Sequence, residues 1–137
     1  MDKQKLKTKP PQTKGTKQIT AKLYTFDLPD LIEKMKHKHT WIKGELNAMV
    51  LYKSPETQIV LAALHQETEI RSFQADESAT IQVIEGKLKF RTTKETVTLE
   101  KGQMLTLQEN IKYRLTAKDE TVMLMTIEYS SLPVGIN

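Results

Sequence analysis

The sequence contains no cysteine, which excludes both disulfide bonds and thiolate metal sites. No apolar stretch approaches the roughly 18 residues that a membrane-spanning helix needs. The lysine-rich start is not followed by the apolar run of a secretory signal. No internal repeat and no second domain is recognisable along the 137 residues. These absences predict a cytoplasmic protein of one domain that does not enter a membrane.

Positive charge is concentrated at the N-terminus. Residues 1–17 contain six lysines and one aspartate, whereas the whole chain has a net charge of +4, so the remainder is close to neutral. This segment has too few apolar side chains to offset the entropy lost on ordering. We therefore expect residues 1–17 to be a disordered tail and residues 18–137 to be the domain. The tail could bind phosphate backbones, but no aromatic residue lies among its lysines to stack on bases, and nucleic acid is not the favoured partner.

Apolar and polar side chains alternate with a period of two between residues 67 and 117. Leu88 and Phe90, for example, alternate with three basic residues. This pattern is typical of strands that are buried on one face and exposed on the other. Short strands separated by turns, at Glu85–Lys87 and Glu100–Gly102 among others, favour a β-sandwich or barrel.

The N-terminal part of the domain predicts one strand and one helix. The strand is expected over Ile19–Asp27, anchored by Leu23 and Phe26. The helix is expected over Leu28–Lys36, with Pro29 in its first turn. The buried side of the helix is predicted to consist of Leu31, Ile32 and Met35.

Three further segments, Glu45–Lys53, Gln58–Leu64 and Thr121–Glu128, are apolar on both faces. Strands of this kind need cover on their outer face, either from the helix or from another subunit. Because they present more apolar surface than one barrel interior can take, we expect a homodimer.

Residues 75–88, ADESATIQVIEGKL, and residues 99–107, LEKGQMLTL, resemble two segments of the small single-domain cupins, the RmlC-like proteins. The likeness extends over about residues 45–128. It implies a mainly β fold, the double-stranded β-helix or jelly-roll barrel, with the one short helix on its N-terminal side.

Cupins normally hold a divalent metal through two motifs, G-x5-H-x-H-x3-E-x6-G and G-x5-P-x-G-x2-H-x3-N. When the first motif is aligned on Gly86, Phe73 and Ala75 take the two histidine positions. Ala79 takes the glutamate position, and Glu67 the opening glycine. Phenyl and methyl groups have no lone pair with which to bind an ion.

The second motif, aligned on Gly102, has Asn110 at its middle glycine and Tyr113 at its histidine. All four metal ligands of the family are thus replaced. The resemblance therefore implies a cupin with neither the family's metal nor another cofactor.

The interior of such a barrel is expected to have an apolar wall. Ala79, Ile81 and Val83 would share the inner face with Leu88 and Phe90, and Tyr113 would add one hydroxyl group. The wall would surround either a ligand pocket or a filled core. The predicted ligand-binding residues are Arg71, Phe73, Ile81, Val83, Phe90 and Tyr113.

The orientation of Arg71 depends on Phe73. If Phe73 points inward, Arg71 and Glu69 do so too, whereas a bulge would reverse part of this order. An inward Arg71 would anchor a carboxylate or a phosphate.

The three histidines suggest two further hypotheses, one catalytic and one for metal binding. His65 with Tyr113 could form a catalytic acid–base pair, as in metal-free sugar epimerases of the cupin superfamily. His37 and His39 could chelate a metal if the segment were extended, but the lysines around them oppose a cation.

The favoured function is a non-metal module that binds a small ligand or has a regulatory role. The alternative is a metal-free isomerase or epimerase acting on a small sugar or carbonyl compound.

Overall fold

The computed structural model describes residues 16–20, 23–38, 46–71 and 77–129, with the backbone alone for residues 16–20. No helix in these segments is both long enough and apolar enough to cross a bilayer. In chain order the elements are β1 (Thr16–Thr20), β2 (Leu23–Phe26), α1 (Leu28–Lys36), β3 (Asn47–Lys53), β4 (Thr57–Leu64), β5 (Glu69–Arg71), β6 (Glu77–Glu85), β7 (Lys87–Arg91), β8 (Thr96–Glu100), β9 (Met104–Leu107), β10 (Arg114–Ala117) and β11 (Thr121–Tyr129).

Two antiparallel sheets form the body of the domain. One has the strand order β3-β4-β11-β6-β9 and the other β5-β10-β7-β8. From β5 onward the chain passes repeatedly from one sheet to the other. This is the predicted jelly-roll architecture, and it is mainly β with one short helix.

The N-terminal strand prediction is wrong in one respect. A single strand over Ile19–Asp27 was expected, but β1 and β2 form an antiparallel hairpin in which Thr20 pairs with Leu23. The sequence between them has no glycine or asparagine to signal a turn. Phe26 packs, as predicted, against the apolar cluster that includes Leu31 and Met35. Leu23, the other predicted anchor, is 48% exposed. β1 also begins inside the predicted tail, and residues 1–15 lie outside the described residues.

The helix prediction is confirmed. α1 spans Leu28–Lys36, and the Asp27 side chain caps it by accepting a hydrogen bond from the Asp30 backbone N–H at 3.2 Å. Pro29 lies in the first turn, where its missing N–H is not needed. The buried side of the helix consists of Leu31, Ile32 and Met35, as predicted.

α1 covers the outer face of the five-stranded sheet. Its buried side packs on Leu51, Leu61 and Val122, which explains why β3, β4 and β11 are apolar on both faces. The Lys36 ammonium group lies 2.9 Å from the Glu85 carboxylate and further fixes the helix on the sheet. The apolar surface that motivated the homodimer is therefore partly covered within one chain, and the homodimer stays a prediction.

A second apolar cluster fills the space between the two sheets. It contains Ala79, Ile81, Val83, Leu88 and Phe90, the five residues that the alternation placed on the inner face. The two predicted turns are also present, with positive φ angles at Gly86 and Gly102. The five-stranded sheet thus separates an inner core from an outer core.

Candidate functional site

One end of the barrel is filled with side chains. Val83, Leu88 and Ala117 are completely inaccessible to solvent, and a core packed in this way leaves no space for a ligand. Ile81 and Val83 were predicted to line a ligand site. Val83 belongs to this filled end, and Ile81 is fully buried opposite Leu105; neither lines a cleft described below, so we assign both to packing.

The described residues leave the other end of the barrel open. A cleft of about 710 Å³, which we call the mouth cleft, lies between the ends of the two sheets. Its edge exposes Val97 and Ile111, each with 37% of its surface accessible. The apolar lining consists of Phe90, Val97, Leu105, Leu107 and Ile111. The polar lining includes Thr92, Thr93, Gln108, Asn110 and Lys112.

A smaller cleft of about 360 Å³ adjoins it. We call it the arginine cleft, and its lining consists of Arg71, Arg91, Thr92, Thr93, Lys112, Tyr113 and Arg114. The two clefts share Thr92, Thr93 and Lys112. Thr92 and Thr93 belong to a hydrogen-bonded turn, in which the backbone N–H groups of Lys94 and Glu95 donate to Thr92 Oγ1 at 3.2 and 3.1 Å.

Tyr113 links the two clefts. Its ring stacks on Phe90, with a centroid distance of 5.3 Å and an interplanar angle of 22°. Burial raises the pKa of the Tyr113 hydroxyl above its usual value of 10.0, and the Glu77 carboxylate raises it further. The phenol is therefore neutral at physiological pH and can donate a hydrogen bond. Phe90 and Tyr113 were both predicted to contact a ligand, and both line a cleft.

Glu77, whose carboxylate acts on Tyr113, was not among the predicted site residues. This residue begins β6 two positions before Ala79, and alternation along the strand puts the two on the same face. The alternation of inward and outward residues along β6 could have identified Glu77 as an inward-facing residue. The cupin motif has its glutamate position at Ala79, two residues further on.

An inward orientation of Arg71 is excluded. Ile70 pairs with Leu115, which is completely buried, so Ile70 faces the core and its neighbour Arg71 faces outward. The Arg71 side chain is 65% exposed. The reference residue for the inward orientation was Phe73, which lies outside the described residues.

The proposed pairing of His65 with Tyr113 is also excluded. His65 Nδ1 lies 3.2 Å from Glu120 Oε2 at the filled end of the barrel, where the nearby Glu67 N–H donates to the Ala117 carbonyl at 2.6 Å. Tyr113 comes four residues before Ala117, a separation of about 13 Å along an extended chain. The histidine and the phenol therefore face different ends of the molecule.

The described residues do not support the hypothesis that His37 and His39 chelate a metal. His37 Nδ1 lies 2.9 Å from the Glu33 carbonyl oxygen, as the last turn of the helix allows. His39 lies outside the described residues. No group of three histidine, aspartate or glutamate side chains within the described segments is arranged to hold a metal ion.

Backbone geometry supports the motif alignment independently. The alignment puts glycine of the cupin motifs at four positions, of which Gly86 and Gly102 keep it. Their φ angles are +92° and +86°. At the other two positions Glu67 has a φ of +70° and Asn110 a φ of +66°. Within the described residues these are the non-glycine residues with positive φ, a conformation that normally favours glycine. The chain has therefore kept the turns of the motifs while replacing their residues.

The metal positions can be judged on that alignment. Ala79 is buried on the inner face of β6 and has no donor atom. Tyr113 presents a phenol whose raised pKa opposes the phenolate that would bind an ion. Phe73 and Ala75 lie outside the described residues. The two positions that are described do not fit the family's metal.

Replacing Glu67 by glycine tests the alignment. The left-handed conformation of a non-glycine residue costs about 1 kcal/mol or more, so Glu67→Gly is expected to stabilise the fold by about that amount in urea unfolding. Glu67→Gln, which removes only the exposed ion pair with Lys118, is the control and should change little. A loss of stability in the glycine variant would contradict the assigned turn.

Neither a protein-family profile nor a curated protein matches the sequence. Solved structures match the fold. Clostridium difficile EutQ aligns with a TM-score of 0.62 at 14% identity, covering 80% of this chain and 82% of that one. A cupin-2 domain containing protein of Shewanella frigidimarina gives 0.58 at 19%, covering 76% and 93%. An RmlC-like cupin of the same organism gives 0.57 at 15%, covering 64% and 79%. At these identities the likeness shows the fold, which is the jelly roll of the RmlC-like cupins.

Proposed function

We propose that this cupin-fold protein is a non-catalytic module that binds a small ligand in the mouth cleft. The mouth cleft is the observation that supports the proposal. Its volume of about 710 Å³ lies within the range of small-molecule sites, and its lining combines apolar with polar side chains. The ligand would place a ring or hydrocarbon body against Phe90, Leu105 and Leu107. The amide groups of Gln108 and Asn110 would bind its polar edge.

Binding is favoured over acid–base catalysis by the groups that line the clefts. A general acid or base works best when its pKa lies near the operating pH and it reaches the substrate. The pKa of Tyr113 is displaced upward, away from neutrality, and His65 lies at the filled end. The isomerase alternative therefore loses the pair on which it depended, whereas the binding proposal uses residues that are already in place.

Two neighbouring residues of β8 allow a matched test. Val97 lines the mouth cleft, whereas Thr98 is exposed on the other face of the same strand, opposite Lys89. Val97→Trp should fill the cleft, and Thr98→Trp should add the same side chain without obstructing it. We expect wild-type protein to bind α-naphthol in a fluorescence titration and Val97→Trp to weaken binding about tenfold or more, the loss of one good apolar contact surface.

The control decides how the result is interpreted. Thr98→Trp should bind α-naphthol as the wild type does, and both variants should keep the far-ultraviolet circular dichroism of the wild type. If the wild type fails to bind α-naphthol, or if both tryptophan variants lose binding equally, the mouth cleft is not a ligand site.

A further inference from the structure

Three arginines lie side by side on the outer face of the four-stranded sheet. Arg114 of β10 pairs directly with Arg71 of β5 on one side and with Arg91 of β7 on the other. Directly opposed residues in a sheet have Cβ atoms about 4.5–5.5 Å apart. Three guanidinium groups therefore meet at the edge of the arginine cleft, which all three line.

The charge of this row is not balanced. Like charges placed opposite each other destabilise a sheet. Among the described residues, one carboxylate, that of Glu69, contacts the row. It lies 2.6 Å from Arg114 Nε and 4.0 Å from Arg71 Nε. Arg91 makes no ion pair with any residue that the structure describes, and Lys112 adds a further cation to the cleft.

Positive charge is less dense elsewhere on this side of the molecule. Lys87 pairs across the strands with Glu100, and the Lys118 ammonium group lies 3.2 Å from the Glu67 carboxylate. Lys89 lies singly between Thr98 and Thr116. The arginine cleft, in contrast, is lined by four cations, those of Arg71, Arg91, Lys112 and Arg114. A site that concentrates cations at some expense of sheet stability is a typical anion-binding arrangement.

We infer that the arginine cleft binds the phosphate group of a small organic phosphate monoester whose apolar part lies in the mouth cleft. A phosphate monoester carries close to two negative charges at neutral pH and offers three acceptor oxygens. Guanidinium groups donate to such oxygens in a bidentate manner. A carboxylate offers only two oxygens and one charge, a role that Glu69 already fills beside Arg114.

The two clefts adjoin, so one ligand could occupy both. Thr92, Thr93 and Lys112 line both clefts, so a molecule bound across this wall reaches both. The inference rests on the proposed function, because the mouth cleft holds the apolar part. It adds the chemical class of the ligand, a phosphorylated compound with a ring or hydrocarbon body.

Calorimetric titration with α-naphthyl phosphate, α-naphthol and inorganic phosphate tests the inference. We expect α-naphthyl phosphate to bind wild-type protein at least about tenfold more tightly than α-naphthol, because hydrogen bonds between charged groups are stronger than those between neutral ones. Arg91→Gln should remove most of this advantage and leave α-naphthol binding unchanged. Lys89→Gln is the matched control, because Lys89 lies on the same face of β7, one row away from the cleft.

The outcomes separate the inference from the proposed function. If α-naphthol binds but its phosphate binds no more tightly, the arginine cleft is not a phosphate site while the mouth cleft remains a ligand site. The same conclusion follows if Arg91→Gln and Lys89→Gln weaken the phosphate equally, which would indicate general attraction to a basic surface. If inorganic phosphate binds as tightly as α-naphthyl phosphate, the apolar part contributes nothing and the inferred ligand class is wrong. Failure of both naphthyl compounds to bind would overturn the proposed function itself.

Discussion

Gly86→Ala is expected to destabilise the fold by about 3–5 kcal/mol, the combined effect of strain at positive φ and steric overlap. A methyl group at this position would overlap the Glu120 carbonyl oxygen and lie 2.7 Å from the Cα atom of Thr121. Both contacts are with backbone, which cannot move aside as a flexible side chain does. The turn is also held from the opposite side, since Thr121 Oγ1 accepts a hydrogen bond from the Lys87 N–H at 3.2 Å.

Gly102→Ala is the matched control for this variant. Gly102 has a similar φ of +86°, but apart from its chain neighbours no atom of the described residues lies within 4 Å of the position that a methyl group would occupy. The control should therefore lose only the conformational part, about 1 kcal/mol or somewhat more. Chemical denaturation with unchanged m-values would give both numbers. Equal losses in the two variants would show that the close approach of Gly86 to Glu120 and Thr121 is absent.

Leu31→Ala is expected to lose about 2–5 kcal/mol, the usual range for removing a buried leucine side chain. Leu31 is fully buried between α1 and the five-stranded sheet, in the outer core with Leu61 and Val122. The substitution keeps a good helix former, so the loss would come from packing. The measurement is again equilibrium unfolding in urea.

Glu33→Ala serves as the control on the same helix. Glu33 is exposed, and surface substitutions of this kind usually change stability by less than about 0.5 kcal/mol. If Leu31→Ala were as mild as Glu33→Ala, the helix would not be the cover of the outer sheet face. The apolar strands β3, β4 and β11 would then need a second subunit to cover them.

The period-two alternation predicted the strands and their buried faces, because it depends on burial alone, whereas the jelly-roll arrangement came from the resemblance to the cupins. It placed Ala79, Ile81 and Val83 on one face of β6, and the runs that are apolar on both faces required an outer cover, which α1 provides. The hairpin of β1 and β2 was missed because the two residues between the strands, at positions 21 and 22, include no glycine or asparagine, the residues that normally signal a hairpin.

The candidate site was less predictable, because it depends on features that no local pattern encodes. Alternation shows which residues face inward, but it does not show where the interior is filled. Ile81 and Val83 were therefore assigned to a ligand site, although both are fully buried and line neither cleft. The cross-strand row formed by Arg71, Arg91 and Arg114 depends on register between strands distant in sequence. Only the three-dimensional pairing brings these side chains together.

The two ends of the barrel now have distinct roles. At the filled end, the close turn at Gly86 and the buried Thr121 hold the sheets together. The turns of the cupin motifs persist at Glu67, near the filled end, and at Asn110, beside the mouth cleft, although the metal ligands themselves are replaced. The fold has thus kept the shape of a site, and the chemistry available there is apolar contact, amide hydrogen bonding and positive charge.

The most direct test of this account is to follow the methyl resonances of the protein by NMR during titration with α-naphthol. Shifts are expected at Val97, Leu105, Leu107 and Ile111, which line the mouth cleft. Val83 and Leu88, in the filled end, should not respond. Shifts centred on Val83 and Leu88, or none at any mouth residue, would contradict the division of the barrel into a filled end and an open, ligand-binding end.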